Sequence, residues 1–393
     1  MTPDGTETLV LYSRLAFYPI HWLALERIVE HYAVRAVVLA APAPELPSVH
    51  AAHGTAEPAA EAIEVRRMPA GSRYERAAWL ARQLRAVRPD AVWVQEEPID
   101  PFLLEILALA RLSRRPRIVA AVCENIFPVP SNRIVRAARR LLWPRLDGLM
   151  AVASPSIDGI RAAGMPGGVR AHSLVAGGLE PPAEVEPLAL SFAGEDFVVG
   201  FAGRIVEEKG WRVLVAALRS LPHEFKLAVA GDGPDLDALL EALPGRVHSA
   251  GLLPKGELWG FYAALDCLAI PSLTTPRWKE QLGGTLLDGL AMGVPVVASE
   301  SGGLPDAMGD AGILVPEADA SALADALRRL RDDPELRSRL GERGRDRFRR
   351  EFAIPSYADK IARALELPAK DVREGSADRL HLGTPPGARQ GIH

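Results

Sequence analysis

The feature that most constrains this sequence is a regular alternation between short apolar segments and longer segments with helical periodicity. Apolar runs such as Arg117–Val122 and Phe197–Ala202 stand apart from amphipathic stretches such as Arg73–Val87. Parallel strands need long, usually helical connections, and strands buried on both faces are continuously apolar. The alternation therefore predicts an α/β fold of doubly wound parallel sheets with helices on both faces.

The chain has 393 residues, a length that favours two domains rather than one core. Residues 176–187 are rich in Gly and Pro and cannot sustain a regular element, so we place a linker there. Ligands of such sheets bind beyond the carboxyl ends of the strands, so we expect two Rossmann-like domains facing across a cleft. The predicted parts are domains over residues 1–180 and 190–350, a C-terminal helix within 351–369 that packs back on the first domain, and a disordered tail over 370–393.

Charge and hydropathy exclude several classes of protein. The formal net charge is −4, and no basic stripe of the kind that binds nucleic acid is present. The sequence contains neither a secretory signal pattern nor an apolar run long enough to cross a membrane. We therefore expect a cytoplasmic protein.

A first group of candidate ligand-binding residues follows the strand Phe197–Ala202. Gly203 and Arg204 end that strand, and Lys209 follows five residues later, where the next helix is predicted to begin. Glycine lets the backbone approach a ligand closely, while Arg and Lys suit the oxygens of a diphosphate. The alternative is that both cations merely decorate a solvated loop.

A second group surrounds the start of a later helix. Gly283, Gly284 and Thr285 begin a helical pattern, and free amides at a helix start form a seat for anions. Glu280 and Asp288 flank that seat, and eight residues of a helix rotate by about 800°, which predicts that both carboxylates bracket one ligand. Carboxylates would repel phosphate, so sugar and ribose hydroxyls are their expected partners. A solvated helix start with ordinary acidic residues is the alternative.

These motifs resemble the donor site of retaining glycosyltransferases with the GT-B fold, glycosyltransferase family 4 (glycosyl transferases group 1). That family carries Glu, seven residues, a second Glu, and then a Gly-Val-Pro-Val-Val strand. Here Glu280 matches the first acid, Asp288 stands where the second Glu is usual, and residues 293–297 match the strand. The resemblance covers about residues 197–350.

The resemblance implies a function for each motif. Arg204 and Lys209 would stabilise charge on the diphosphate leaving group, Glu280 would hold donor-sugar hydroxyls, and Asp288 would hold the ribose. The first domain becomes the acceptor side and the second the nucleotide-sugar donor side, with no cofactor and no metal. Asp235-Leu236-Asp237 superficially resembles a metal motif, but we interpret it as a solvated helix face. The implied catalytic residues are Glu280, Arg204 and Lys209, and the implied nucleotide-sugar-binding residues are Gly203, Arg204, Lys209, Gly231, Gly283, Gly284, Thr285 and Asp288.

The acceptor side carries weaker signals. Glu96, Glu97 and Glu124 follow strands and could orient an acceptor hydroxyl, although ordinary loop carboxylates are the alternative. His21 is the nearest histidine and is expected to be packed or on a helix surface. The acceptor itself is not indicated; polysaccharide, glycolipid and natural-product glycosylation all remain open. Two other functions remain open: a non-catalytic nucleotide-sugar-binding subunit, and a nucleotide-sugar epimerase or phosphorylase of the same architecture.

A basic amphipathic helix is predicted from about residue 133. A helix of this kind can lie on an anionic membrane, here at the inner face, or can pack on the core with a solvated Arg face. The predicted basic side consists of Arg133, Arg136, Arg139 and Arg140, and the predicted apolar side of Ile134, Val135, Ala138, Leu141 and Leu142.

Overall fold

The computed structural model describes residues 6–13, 19–40, 63–95, 107, 115–127 and 133–370. Two parallel sheets organise these residues, and the predicted doubly wound α/β fold is confirmed. The first sheet has the order β3-β2-β1-β4-β5-β6-β7 and the second the order β10-β9-β8-β11-β12-β13. In each sheet the strand order reverses beside the first strand, which is where such folds bind ligands. The strands are β1 (Glu7–Ser13), β2 (Val34–Ala40), β3 (Ile63–Arg67), β4 (Ala91–Val94), β5 (Arg117–Val122), β6 (Gly148–Ala151), β7 (Arg170–His172), β8 (Phe197–Ala202), β9 (Phe225–Ala230), β10 (Val247–Gly251), β11 (Cys267–Ile270), β12 (Val296–Ser299) and β13 (Gly312–Val315).

The described helices lie between strands and cover both faces of each sheet. Local sequence signals fix several of them; for example, Ser72 and Glu75 form a reciprocal capping box at the start of α2. The helices are α1 (Pro19–His31), α2 (Arg73–Val87), α3 (Arg133–Leu142), α4 (Ser154–Ala162), α5 (Trp211–Arg219), α6 (Leu236–Ala242), α7 (Lys255–Ala263), α8 (Gly284–Met292), α9 (Leu304–Met308), α10 (Ala320–Asp332), α11 (Pro334–Glu351) and α12 (Ile354–Ala364).

The last helix returns from the second sheet to the first. Tyr357 and Ile361 of α12 are buried in the same apolar cluster as Leu9 of β1 and Trp22 of α1. The chain thus crosses between the domains twice, once through residues 173–196 and once before α12. These crossings hold together the two domains that form the site.

One strand is absent from the sequence interpretation. β7 consists of Arg170, Ala171 and His172 and pairs only with β6 at the edge of the first sheet. A polar three-residue edge strand has no apolar period, so the hydrophobic pattern gives no signal for it.

Candidate active site

The carboxyl ends of the two sheets meet. Asn125 follows β5 in the first domain, and its amide nitrogen donates a hydrogen bond to the backbone oxygen of Glu280 in the loop between β11 and α8. The hydroxyl of Ser156 donates to the Asn125 side chain at 2.7 Å and fixes its orientation. The backbone N–H of Ser154 donates to Asp306 of α9 at 2.7 Å. The first domain therefore contacts the donor-side loops directly.

Gly231 lets the loops after β8 and β9 touch. Its φ is +145°, and a Cβ added there would lie 1.9 Å from the backbone oxygen of Gly203. No side chain fits in that space, and the conformation itself strongly favours glycine. The predicted glycine thus shapes the loop that carries Arg204.

Lys209 and Glu280 form a partly buried ion pair. The Lys209 ammonium donates to Glu280 Oε2 at 2.8 Å, and the Ser272 hydroxyl donates to the same oxygen at 2.7 Å. The Glu280 side chain is only 7% exposed, and Lys209 also lies 4.9 Å from the centre of the Trp278 ring. Within the described residues, Glu280 Oε1 accepts no hydrogen bond. One carboxylate oxygen is therefore satisfied by the protein and the other is not.

Arg204 is held much less tightly. Its guanidinium lies 3.5 Å from Glu208, and its side chain is 51% exposed. A weak, solvent-screened pair of this kind costs little to exchange for a stronger anion. Arg204 can therefore turn toward a ligand that enters from solvent.

The start of α8 lies beside the end of β8. Gly283 precedes the helix with φ +79°, and it provides no side chain to cap the first amides. The Thr285 hydroxyl donates to the backbone oxygen of Ala202 at 3.4 Å, which ties the helix start to the strand. The first-turn amides of Gly284 and Thr285 and the positive end of the helix dipole are suited to an anion.

Asp288 lies in a second buried cluster. Its Oδ1 accepts from the Lys255 ammonium, and its Oδ2 accepts from the Tyr262 hydroxyl at 3.3 Å. Lys255 in turn lies 4.2 Å from the centre of the Trp259 ring. Burial first, and then the negative charge of Asp288, raise the pKa of Tyr262 well above its ordinary value, so its hydroxyl stays protonated and donates.

The two predicted acids are therefore arranged differently from the expectation. The helix begins at Gly284, so Glu280 lies in the preceding loop and the eight-residue rotation argument was wrong. Glu280 forms an ion pair with Lys209. Asp288 instead forms an ion pair with Lys255 and accepts a hydrogen bond from Tyr262. The sequence reasoning missed Lys255; its only local signal is the aromatic Trp259 four residues later on the same helix.

The structure describes some, but not all, of the residues predicted for the acceptor side. Glu96 and Glu97 lie outside the described residues, and Glu124 is exposed after β5. His21 is buried between Gln95 at 3.2 Å and Tyr357 at 3.3 Å, and burial lowers its pKa to about 4. A neutral, packed histidine agrees with the packed-residue interpretation. The contact to the donor loop comes instead from the neighbour of Glu124, an asparagine.

Helix α3 presents a different face from the predicted one. Ile134 and Leu141 are 79% and 63% exposed, whereas Arg139 is buried and its guanidinium lies 5.2 Å from the Trp143 ring. The assignment of Arg139 to a solvated basic side was wrong, because its guanidinium packs against the Trp143 ring, a cation–π contact that favours burial of this arginine. The exposed face carries Ile134 and Leu141 beside Arg133 and Arg140.

The residues that the structure describes contain neither a metal-binding cluster nor a membrane-spanning helix. No group of three or more potential ligands is placed to hold a metal ion there. In that same part of the chain, no helix combines the length and hydropathy needed to span a bilayer. Asp235 was placed inside a helix by the sequence, but it precedes α6 and accepts from the Trp211 indole at 3.0 Å.

Comparisons with known proteins identify a family, related sequences and structures with a similar fold. The model of the family described as "Glycosyl transferases group 1" matches residues 196–333. The 2-deoxystreptamine glucosyltransferase of Streptomyces kanamyceticus is 30% identical over 316 residues, 70% of this chain and 79% of that protein. The 2-deoxystreptamine N-acetyl-D-glucosaminyltransferase of Streptomyces fradiae is 30% identical over 330 residues, 74% of each chain. The structure of HepE from Anabaena in complex with UDP aligns with a TM-score of 0.69 at 17% identity, covering 92% of this chain and 100% of that one.

The two facing Rossmann-like domains have the GT-B fold, which the HepE structure shares. The chain belongs to the glycosyl transferases group 1 family, as the family model and both Streptomyces relatives show.

Proposed function

We propose that this glycosyltransferase takes its sugar from a nucleoside-diphosphate sugar and transfers it to a hydroxyl group with retention of anomeric configuration. The observation that carries the proposal is the partly buried Lys209–Glu280 pair, which places a fixed cation and a carboxylate in the loops around the site. The Anabaena HepE structure, which shares the fold, is a complex with UDP, and this supports a nucleotide-linked donor.

Three features of the donor domain stabilise the leaving group. When the bond between the sugar and the diphosphate breaks, negative charge grows on the phosphate oxygens. Lys209 and Arg204 supply positive charge, and the first amides of α8 supply hydrogen-bond donors. Donors fixed before the reaction stabilise this charge without having to reorganise. We propose no metal and no cofactor for this step.

Glu280 is the proposed contact to the donor sugar. Its Oε2 is engaged by Lys209 and Ser272, which leaves Oε1 to accept a hydrogen bond from a sugar hydroxyl. The acceptor hydroxyl attacks from the face that the diphosphate leaves, and the departing phosphate takes its proton. A covalent intermediate on Glu280 is disfavoured because the ion pair with Lys209 lowers the nucleophilicity of the carboxylate.

The acceptor is proposed from the relatives. The two Streptomyces proteins that align with most of the chain are named for transfer to 2-deoxystreptamine, an aminocyclitol. A third relative, from Corynebacterium jeikeium, is named for D-inositol 3-phosphate, and it is 37% identical over 215 residues. A cyclitol hydroxyl is therefore the acceptor to test first.

The test is a transfer assay with UDP-glucose and UDP-N-acetylglucosamine against 2-deoxystreptamine and D-inositol 3-phosphate. Mass spectrometry should detect a glycosylated cyclitol, and proton NMR should show the anomeric configuration of the donor sugar in the product. An inverted product would contradict retention. A changed sugar nucleotide without any acceptor would instead indicate an epimerase, and no chemistry with any donor would favour a non-catalytic binding subunit.

A peripheral membrane contact through α3 is a second proposal. Its exposed Ile134 and Leu141 lie beside Arg133 and Arg140, which suits the interface of an anionic bilayer. Arg136 contributes from its flank, whereas Arg139 is turned inward. Such a contact would place the enzyme at the inner face of a membrane that presents a lipid-linked acceptor.

Vesicle sedimentation tests the membrane contact. The protein should bind phosphatidylglycerol vesicles, and the Arg133→Ala/Arg140→Ala variant should bind about 30-fold more weakly, because each arginine at an anionic surface contributes about 1 kcal/mol. Ile134→Ser/Leu141→Ser should also weaken binding. Phosphatidylcholine vesicles are the control. Equal sedimentation of wild type and both variants would reject α3 as the membrane-binding element.

A further inference from the structure

Glu280 is held at its backbone as well as at its carboxylate. Its backbone oxygen accepts one hydrogen bond from the N–H of Gly303, at 3.1 Å, and a second from the side-chain amide of Asn125. Gly303 lies between β12 and α9 of the donor domain, whereas Asn125 follows β5 of the first domain. A carbonyl oxygen has two lone pairs, so these two donors, one from each domain, satisfy it fully.

Asn125 is itself held in place by the first domain. Only 8% of the residue is exposed. Ser156 of α4 is fully buried and donates to Asn125 Oδ1 at 2.7 Å, which turns the amide nitrogen toward Glu280. Gly159 of the same helix packs on the Asn125 backbone, where an added Cβ would lie 2.6 Å from the carbonyl oxygen. Helix α4 therefore fixes both the backbone and the side chain of Asn125.

The loop that carries Glu280 is packed closely on its other side. Gly302 has a φ of +55°, and a Cβ added there would lie 1.8 Å from the backbone oxygen of Glu280. A Cβ added to Gly303 would lie 1.9 Å from the backbone oxygen of Gln281 and 2.7 Å from the Cβ of Ala153 in the first domain. The turn after β12 and the first domain thus hold the loop between them, and a shift of the Glu280 backbone would break contacts on both sides.

We propose that Asn125 is a positioning residue for sugar transfer, and that its hydrogen bond to the Glu280 backbone orients the Glu280 carboxylate toward the donor sugar. The inference rests on the proposed contact between Glu280 and a donor-sugar hydroxyl, and it goes beyond that contact in giving the first domain a part in it. Without the Asn125 amide, the Glu280 carbonyl keeps only its bond to Gly303, and the loop is free to shift. A free nucleoside diphosphate carries no donor sugar, so its binding does not depend on this orientation.

Kinetics of transfer from UDP-glucose and UDP-N-acetylglucosamine to 2-deoxystreptamine and D-inositol 3-phosphate, with calorimetry of UDP binding, tests this role. Asn125→Ala should lower kcat by about tenfold, as expected for one lost hydrogen bond, and should change the affinity for UDP by less than about twofold. The loss should shrink in a Glu280→Gln background, because losses at residues that act together are not additive. Ser156→Ala removes only the donor that orients the amide, so its loss of kcat should be about threefold.

Asp306→Ala is the matched control. Asp306 accepts a hydrogen bond from the N–H of Ser154 at 2.7 Å, a second bond between the domains that does not touch Glu280. This variant should keep the kcat of wild type. An equal loss of kcat in Asp306→Ala, or additive losses for Asn125→Ala and Glu280→Gln, would overturn the inference, since Asn125 would then only hold the domains together.

Thermal unfolding identifies variants that fail to fold. If Asn125→Ala is one of them, folded Ser156→Ala with the kcat of wild type would overturn the inference. Active wild type with an unchanged kcat in Asn125→Ala would overturn the inference alone, whereas wild type that transfers no sugar would overturn the proposed function and the inference with it.

Discussion

Replacement of Lys209 by methionine should lower kcat/KM for sugar transfer by about 100- to 1000-fold, the range found when one fixed donor to a developing anion is removed. Among the described residues, Lys209 is the only cation that pairs with Glu280, at 2.8 Å, and the variant removes it. Methionine keeps most of the side-chain volume against Trp278, so packing changes less than charge. Steady-state kinetics with the best sugar nucleotide measures the effect.

A control must separate lost chemistry from lost stability, because the variant leaves a buried carboxylate without its ionic partner. Arg212→Met removes a nearby positive charge that stacks on Trp211 and does not touch Glu280. That control should retain activity, and both variants should be compared by thermal unfolding. A folded Lys209→Met protein with near wild-type turnover would remove Lys209 from the proposed leaving-group machinery.

Replacement of Glu280 by glutamine should reduce kcat/KM by about tenfold to hundredfold while affinity for the free nucleoside diphosphate changes little. Glutamine keeps the shape and the bond from Ser272, but it removes the charge that pairs with Lys209 and that would strengthen a bond to a sugar hydroxyl. The effect is specific to the sugar, because a free nucleoside diphosphate lacks the donor-sugar hydroxyls that would donate to Oε1.

Ser272→Ala is the graded comparison for Glu280. It removes one neutral donor to Oε2 and leaves the carboxylate charged, so its loss of activity should be smaller. Calorimetry with the nucleoside diphosphate and kinetics with its sugar derivative separate the two binding partners. An equal loss of affinity for both ligands would mean that Glu280 acts through Lys209 alone and does not contact the sugar.

Most of the fold could be predicted because its signals are local. Continuous apolar strands such as β8 and helices with a clear period such as α11 follow directly from hydrophobic patterning. The orientation of α3 could not be predicted, since the stacking of Arg139 on Trp143 competes with the apolar stripe. Local periodicity does not show which face of a helix a tertiary contact will cover.

Those site residues that belong to motifs of recognisable spacing and residue type could be predicted from the sequence. Gly231, Lys209 and Glu280 were singled out from motifs, and the structure places Lys209 and Glu280 in contact although 71 positions separate them. The partnership of Asp288 with Lys255 depends on how α7 packs beside α8, and no spacing rule encodes it. The packing of one helix against another, and the side-chain pairs that result from it, could therefore not be predicted from the sequence.

The most direct test of the account is thermal unfolding of the protein with UDP, GDP, ADP and dTDP, beside an Arg204→Ala/Lys209→Ala variant. Ligand at about 100 times its Kd adds about 2.7 kcal/mol to stability, which is readily measured as a shift in Tm. We predict a shift with at least one ribonucleotide that disappears in the double variant. A wild-type protein that no nucleotide stabilises, or a shift that persists in the double variant, would contradict a diphosphate site built on Arg204 and Lys209.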